Sequence, residues 1–150
     1  MSKNPRSQAR SAARLAAVQA LYQQHMERTP LNRLLDEFHQ HRLGAEIEEV
    51  QFAEAEVAFF DDIVRGVDAR RDEVDALLSQ RLSENWTLAR LDKTMLQILR
   101  AGTYELIARP DVGKATAISE YVDVAKAFFD DREAKFVNGV LDAVAKDVRS

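Results

Sequence analysis

Apolar side chains recur at intervals of three and four residues along most of this chain, and this spacing constrains the fold more than any other feature. Val137, Val140, Leu141 and Val144 show the interval clearly. It places apolar side chains on one face of an α-helix. No segment alternates strictly between apolar and polar residues, which is the pattern of a half-buried strand. We therefore expect an all-α fold.

The same spacing predicts about seven helices joined by short links, which is a bundle arrangement. Only five glycines and three prolines interrupt the chain. The length of 150 residues is typical of one domain, so we predict a single domain over residues 1–150 with a subdomain seam near residues 83–88. The expected helices are Ser7–Met26, an element from Leu31 that Gly44 closes, a long segment from Phe52 that breaks near Gly66 or Asp68–Asp72, Leu91–Ile107, Thr116–Phe128 and Arg132–Val148.

Several classes of function lack the residues that they need. The chain has no cysteine, which excludes disulfides and cysteine metal ligands. His39 and His41 are two residues apart, so on a helix they point in different directions and do not share a metal ion. The sequence contains neither a glycine-rich phosphate loop nor the His-Glu-x-x-His pattern of zinc hydrolases. We expect no enzymatic activity, no metal site and no cofactor.

The sequence also gives no sign of a membrane or export signal. No apolar run approaches the ~18 residues that a membrane span requires, and no signal peptide is visible. These observations predict a cytoplasmic protein that makes no contact with a membrane.

Basic residues are concentrated at the amino terminus, although the whole chain has a net charge of −4. Residues 1–26 contain Lys3, Arg6, Arg10 and Arg14 and no acid. The arginines are four residues apart, so we expect them to form an exposed row along the first helix, beside its apolar stripe. A row of arginines can follow a nucleic-acid backbone through paired hydrogen bonds to phosphate. The alternative is that this basic segment only keeps the chain soluble.

A second group of cations with an aromatic neighbour occurs at the start of the last helix. It consists of Arg132, Lys135 and Phe136, and the spacing puts Phe136 at the margin of the apolar stripe. Tyr22 is a further aromatic residue beyond the arginine row. An aromatic ring beside cations can stack on an unpaired base while the cations hold phosphates. Packing in the core is the alternative for both aromatic residues.

Two glycines are predicted inside helices, where glycine is less favourable than alanine by roughly 1 kcal/mol. We expect Gly102 to allow close packing of a neighbouring helix. For the same reason we expect a helix or a ligand to approach the backbone closely at Gly139.

Several segments together resemble the NusB family of bacterial transcription antitermination factors. The most specific is Lys135-Phe136-Val137-Asn138-Gly139-Val140-Leu141-Asp142, which resembles the closing signature of the family. Ala17-Val18-Gln19-Ala20-Leu21-Tyr22, preceded by spaced arginines, resembles its opening helix. Ile98-Leu99-Arg100 with Tyr104-Glu105-Leu106, and Ala117-Ile118-Ser119-Glu120 with Ala125-Lys126, resemble two helices between them. The matches occur in order from about Ser7 to Val148.

The resemblance implies two small helical-bundle subdomains packed as one domain, without enzymatic activity. It implies binding of the boxA element of nascent ribosomal RNA together with the ribosomal protein NusE. That complex joins other Nus factors on RNA polymerase and suppresses premature termination. The predicted RNA-binding residues are Lys3, Arg6, Arg10, Arg14, Tyr22, Arg132, Lys135 and Phe136. On the central helix, Arg100, Tyr104 and Glu105 are expected to face the protein partner.

Three positions depart from the family pattern. Met95 replaces an acidic residue linked to the protein partner, but its spacing places it on the buried stripe, so we assign it no contact. Phe129 stands near a common glycine, and Arg132 stands near a common acid or small residue. Arg132 is expected to strengthen RNA binding.

An acidic segment supports an alternative function. Glu54–Asp75 contains eight acids and three arginines, and a net charge of −5 attracts basic surfaces. The chain would then be a non-catalytic interaction module that forms homodimers or binds a basic partner. The sequence leaves open whether the protein is a monomer or a homodimer.

Overall fold

The computed structural model describes residues 5–40, 50–83 and 85–149. Within these ranges it contains seven α-helices, one short 3-10 turn at Leu88–Arg90 and no strand. This result confirms the predicted all-α class. The helices are α1 (Pro5–Glu27), α2 (Leu31–Phe38), α3 (Val50–Ala69), α4 (Arg71–Arg81), α5 (Lys93–Ala108), α6 (Lys114–Phe128) and α7 (Asp131–Val148).

Local chemistry explains where several of these helices begin and end. Arg28 follows α1 with a φ of 56°, a left-handed conformation that ends a helix. The Asp92 carboxylate accepts hydrogen bonds from the backbone N–H groups at the start of α5, and Asp130 and Glu133 form a capping box at the start of α7. The predicted break in the long central segment falls at Arg70, so Gly66 lies inside α3.

The chain divides into two compact units between Arg65 and Gly66, within α3. The first unit contains α1, α2 and most of α3, and the second contains the last turn of α3 with α4 to α7. The predicted seam near residues 83–88 does not coincide with this division, because those residues lie inside the second unit. That the two units act as one domain stays a prediction.

The core of the first unit is formed by apolar faces of three helices. The aromatic rings of Phe38 from α2 and Phe60 from α3 stack with their centroids 5.5 Å apart. His39 is half-buried, and its Nε2 lies 2.6 Å from Asp61 Oδ1. His41 lies outside the described residues. The buried apolar residues include Ala13, Ala17, Val18, Leu21, Leu34, Leu35, Ile63 and Val64.

The second unit is built around α5, which packs against α4, α6 and α7. Every residue of α5 from Met95 to Leu106 is buried, which confirms the predicted burial of Met95. The carboxyl end of α5 is bound by Arg149, which follows α7. Its guanidinium donates hydrogen bonds to the backbone carbonyls of Glu105, Leu106, Arg109 and Val112. The bond to Leu106 satisfies a carbonyl group of the last turn that a helix end otherwise leaves without a partner.

An exposed ion pair also joins α4 to α7. Arg81 Nε donates a hydrogen bond of 2.7 Å to Asp147 Oδ2. This hydrogen bond holds the pKa of the Asp147 carboxyl below its usual value. Exposed pairs of this kind contribute little to stability, so we assign the cohesion of the unit to α5 and its buried neighbours.

Two glycines provide space for neighbouring side chains, and a third does not. A Cβ at Gly102 would lie 2.8 Å from Leu141 Cδ1, which confirms the close packing predicted there. A Cβ at Gly66 would overlap the ring of Tyr104. At Gly139 a Cβ would meet no described atom within 4 Å. No described helix approaches Gly139 closely, because this position lies on the exposed side of α7, and close approach by a ligand stays a prediction.

Alanine substitutions at two of these glycines should shift stability in opposite directions. Gly66→Ala should lower the free energy of unfolding by about 1–3 kcal/mol, because the new methyl group displaces the Tyr104 ring. Gly139→Ala should raise it by about 0.5–1 kcal/mol, because alanine favours an exposed helical position and has room there. Urea unfolding followed by circular dichroism measures both. Equal destabilisation by the two variants would contradict the packing at Gly66.

Candidate nucleic-acid interface

The three arginines of α1 differ sharply in exposure. Arg6 is exposed, Arg10 is half-buried and Arg14 is only 2% exposed. The Arg10 and Arg14 guanidinium carbons lie 4.6 and 4.9 Å from the centroid of the Phe59 ring on α3. This distance is typical of cation–π interactions. Lys3 lies outside the described residues.

The predicted exposed row of arginines therefore needs correction. Residues four apart do not stay on one line, and the direction of the side chain turns by about 80° between Arg6 and Arg14. This rotation carries Arg14 into the core beside Phe59. Arg14 supports the packing of α1, and Arg6 is the member of the row that is exposed to solvent.

Tyr22 lies further along α1 and is 40% exposed. This exposure argues against the alternative that Tyr22 packs in the core. Met26, one turn further on, is also exposed. Both residues line a cleft of about 300 Å³ between α1 and α2, together with Gln19, Gln23, Glu27 and Phe38.

The second predicted group lies on α7, within the second unit. Arg132 and Lys135 are exposed and Phe136 is half-buried, as expected for a polar face with an aromatic residue at its margin. Sequence reasoning missed the neighbour of this group. The ring of Trp86, in the connection after α4, lies with its centroid 6.3 Å from that of Phe136. No spacing rule links residues from separate elements, so only the tertiary structure reveals that these two rings are close.

The three residues expected to face a protein partner are buried. Arg100 is 7% exposed, and its Nε and Nη2 each lie 2.9 Å from a carboxylate oxygen of Asp75 on α4. Glu105 accepts a hydrogen bond of 2.7 Å from the Tyr121 hydroxyl on α6, and Tyr104 packs over Gly66. These side chains hold the second unit together. Their burial corrects the expectation that they lie on the surface.

Much of the acidic segment is paired within the chain. The Asp75 carboxylate binds Arg100 and the Asp61 carboxylate lies beside His39. Glu73 accepts hydrogen bonds from Arg70, and this interaction lowers the pKa of the Glu73 carboxyl. Arg100 lies outside the acidic segment, so its bond to Asp75 offsets one charge of the net −5. Arg70 lies inside the segment and is already counted in that value, so the acidic docking face stays an alternative.

Across residues 6–40, 57–83 and 85–149, whose side chains are described, no group of three His, Asp or Glu side chains is arranged to hold a metal ion. In the same part of the chain, no helix has the length and apolar character needed to cross a membrane.

Comparison with known proteins relates this fold to transcription factors. The model of the NusB family matches residues 11–146. The transcription antitermination protein NusB of Novosphingobium aromaticivorans is 76% identical over 141 residues, which cover 94% of this chain and 95% of that protein. The chain belongs to the NusB family.

Solved structures agree with this assignment. T. maritima NusB has a TM-score of 0.77 and 30% sequence identity, with 100% of this chain and 96% of that chain covered. A structure of the antitermination factors NusB and NusE in complex with double-stranded RNA has a TM-score of 0.75 and 25% identity. It covers 93% of this chain and 98% of that chain. The NusB fold therefore extends over both units described here.

Alanine substitutions should separate the buried arginine of α1 from the exposed one. Arg14→Ala should lower the free energy of unfolding by about 1–3 kcal/mol, because it removes a desolvated cation–π contact and a buried side chain. Arg6→Ala should change it by no more than about 0.5 kcal/mol, as is usual for exposed positions. Urea titration of both variants gives the comparison. If Arg14→Ala were as stable as Arg6→Ala, the packing of Arg14 against Phe59 would be contradicted.

Proposed function

We propose that this chain is an RNA-binding transcription antitermination factor. Together with ribosomal protein NusE, it binds the boxA element of nascent ribosomal RNA and suppresses premature transcription termination. Other Nus factors and RNA polymerase are indirect partners, and the site of action is the cytoplasm. The single observation that carries the proposal is membership of the NusB family over nearly the whole chain. It is a family of binding proteins, so the chain is not an enzyme.

The exposed cations support a role in holding RNA. Arg132 and Lys135 lie on the first two turns of α7, beside Phe136. Arg6 is exposed on α1, and Lys3 precedes it in the sequence. We assign phosphate contacts to these four cations. Phe136 and Tyr22 are the proposed stacking residues, because aromatic faces bind unpaired bases of any sequence.

The remaining predicted residues have supporting roles in this proposal. Arg10 is half-buried against Phe59, so it contributes a weaker contact to RNA than Arg6. Arg14 holds α1 in place. Arg100, Tyr104 and Glu105 influence NusE binding only through the packing of α5, because their side chains are buried.

The contribution of Lys135 can be tested against a second lysine on the same helix. Lys146 is 11 residues further along α7 and exposed, about 16 Å away at the rise of an α-helix. Lys135→Ala should weaken binding of a boxA RNA several-fold, and the slope of log affinity against log salt should fall by about 0.7, the value for one phosphate contact on a single strand. Lys146→Ala should leave both quantities close to wild type.

Fluorescence anisotropy of labelled boxA RNA at several salt concentrations, with and without NusE, measures these effects. Steep salt dependence and tighter binding with NusE are the expected results for the wild-type chain. Absence of RNA binding under both conditions would contradict the proposed function. Unchanged affinity and slope for Lys135→Ala would contradict only the placement of the site.

Tyr22 can be tested in the same assay. Tyr22→Ala should weaken binding of RNA alone roughly fivefold or more, while Tyr22→Phe retains the ring and most of the affinity. Met26→Ala is the control, because it removes a neighbouring exposed apolar side chain that has no aromatic face. A loss for Tyr22→Ala that occurs only in the presence of NusE would contradict the stacking role and assign Tyr22 to the protein interface.

A further inference from the structure

We propose that Trp86 is an RNA-binding residue whose indole ring, together with Phe136, forms a stacking platform for unpaired bases. This inference rests on the proposed function, and it adds a residue from outside the basic segments to the RNA site. The two residues are called the Trp86–Phe136 platform below. They belong to the same unit of the chain.

Trp86 is held in an exposed position by its local backbone. It is 51% exposed and lies between α4 and the turn at Leu88–Arg90. The backbone N–H of Trp86 donates a hydrogen bond of 2.9 Å to the Ser83 carbonyl. Arg90 Nη1 donates one of 3.2 Å to the Asn85 carbonyl. These bonds hold the backbone at Asn85 and Trp86, while half of the Trp86 side chain stays exposed.

The exposure of this side chain calls for a ligand. Among residues 6–40, 57–83 and 85–149, the exposed large hydrophobic side chains are Tyr22, Met26, Trp86 and Phe128. Tryptophan has the largest apolar surface of any residue, and leaving half of it in water forfeits much of the gain from burial. A ring that is preorganised at the surface can recover that gain when a base stacks on it.

The ring geometry determines how bases can bind. The Trp86 and Phe136 rings have centroids 6.3 Å apart and planes inclined by 53°. This separation is within the range of ~4.5–7 Å for rings in direct contact, so no base fits between them. Bases instead stack on the outer, exposed faces. The contact with Phe136 supports the indole from one side and limits its motion.

Three exposed cations lie on the elements that carry the two rings, together with the exposed acids Asp130 and Asp131 at the start of α7. Arg132 lies one helical turn before Phe136 and Lys135 is adjacent to it, and both are exposed. Arg90, also exposed, lies in the turn that holds the Trp86 connection. Aromatic rings flanked by cations are the arrangement that binds single-stranded nucleic acid, because the cations hold the backbone while the bases stack.

The chain contains one tryptophan and three tyrosines, so fluorescence excited at a wavelength that tryptophan absorbs and tyrosine does not reports on Trp86 alone. A titration with unlabelled boxA RNA should quench this fluorescence along the same curve as the anisotropy of a labelled RNA. RNA binding without a change in tryptophan fluorescence would overturn the inference and leave the proposed function intact. No binding by either measurement would overturn both. A change caused by NusE and not by RNA would also overturn the inference, because it assigns the ring to a protein contact.

Two substitutions test whether the aromatic face is the feature that matters. Trp86→Leu and Trp86→Phe are both apolar, but only the second retains an aromatic ring. Trp86→Leu should weaken RNA binding roughly 5- to 100-fold, which is the range for loss of one base stack. Trp86→Phe should restore most of the affinity. Equal losses in the two variants would overturn a stacking role.

A coupling measurement separates direct stacking from an effect on folding. Each base of the boxA RNA is replaced in turn by an abasic nucleotide, and affinity is measured for the wild-type chain and for Trp86→Leu. At the base that stacks on the indole, the abasic change should weaken the wild type and have little further effect on the variant. Losses that multiply independently at every position would contradict direct contact, whatever the stability of the variant.

Discussion

Helix α5 is enclosed by protein from Met95 to Leu106, and the second unit depends on satisfying the polar groups buried with it. A buried charge or hydrogen-bonding group is costly unless it finds a partner. A residue on or next to each neighbouring helix is the partner of one such group. Asp75 on α4 binds Arg100, Tyr121 on α6 binds Glu105, and Arg149 after α7 binds the Leu106 carbonyl. Because each contact has directional geometry, together they specify the register of three helices against α5 as well as their proximity.

The same principle operates on a smaller scale in the first unit. Arg14 is buried on α1, and its guanidinium lies over the ring of Phe59. Arginine suits such a position, because its planar guanidinium is weakly hydrated and stacks on aromatic faces. The contact between Arg14 and Phe59 also packs α1, the helix that carries Arg6, against the core. The buried Arg14 therefore fixes the orientation of the helix that carries the exposed Arg6.

Apolar spacing predicted the helices because each is amphipathic enough to show its buried face. For α6 the predicted start at Thr116 lies two residues from the observed start at Lys114. The expectation that Arg100 faces a protein partner came from the family resemblance, and apolar spacing did not correct it, because α5 is packed on several sides. Spacing did predict the exposure of Lys135, because α7 has an exposed face. The proximity of Trp86 to α7 arises from tertiary packing, on which local spacing carries no information.

A chain with a net charge of −4 can bind a polyanion when its cations act locally. At physiological salt the Debye length is about 8 Å, so acids beyond that distance contribute little to the potential at a bound phosphate. Several acids of the central segment are also held by cations of the chain, as Asp75 is by Arg100. Arg132 and Lys135 of α7 are exposed, four residues and one residue before Phe136. In the proposed function, the local arrangement of these cations with Trp86 and Phe136, and not the sign of the net charge, determines RNA affinity.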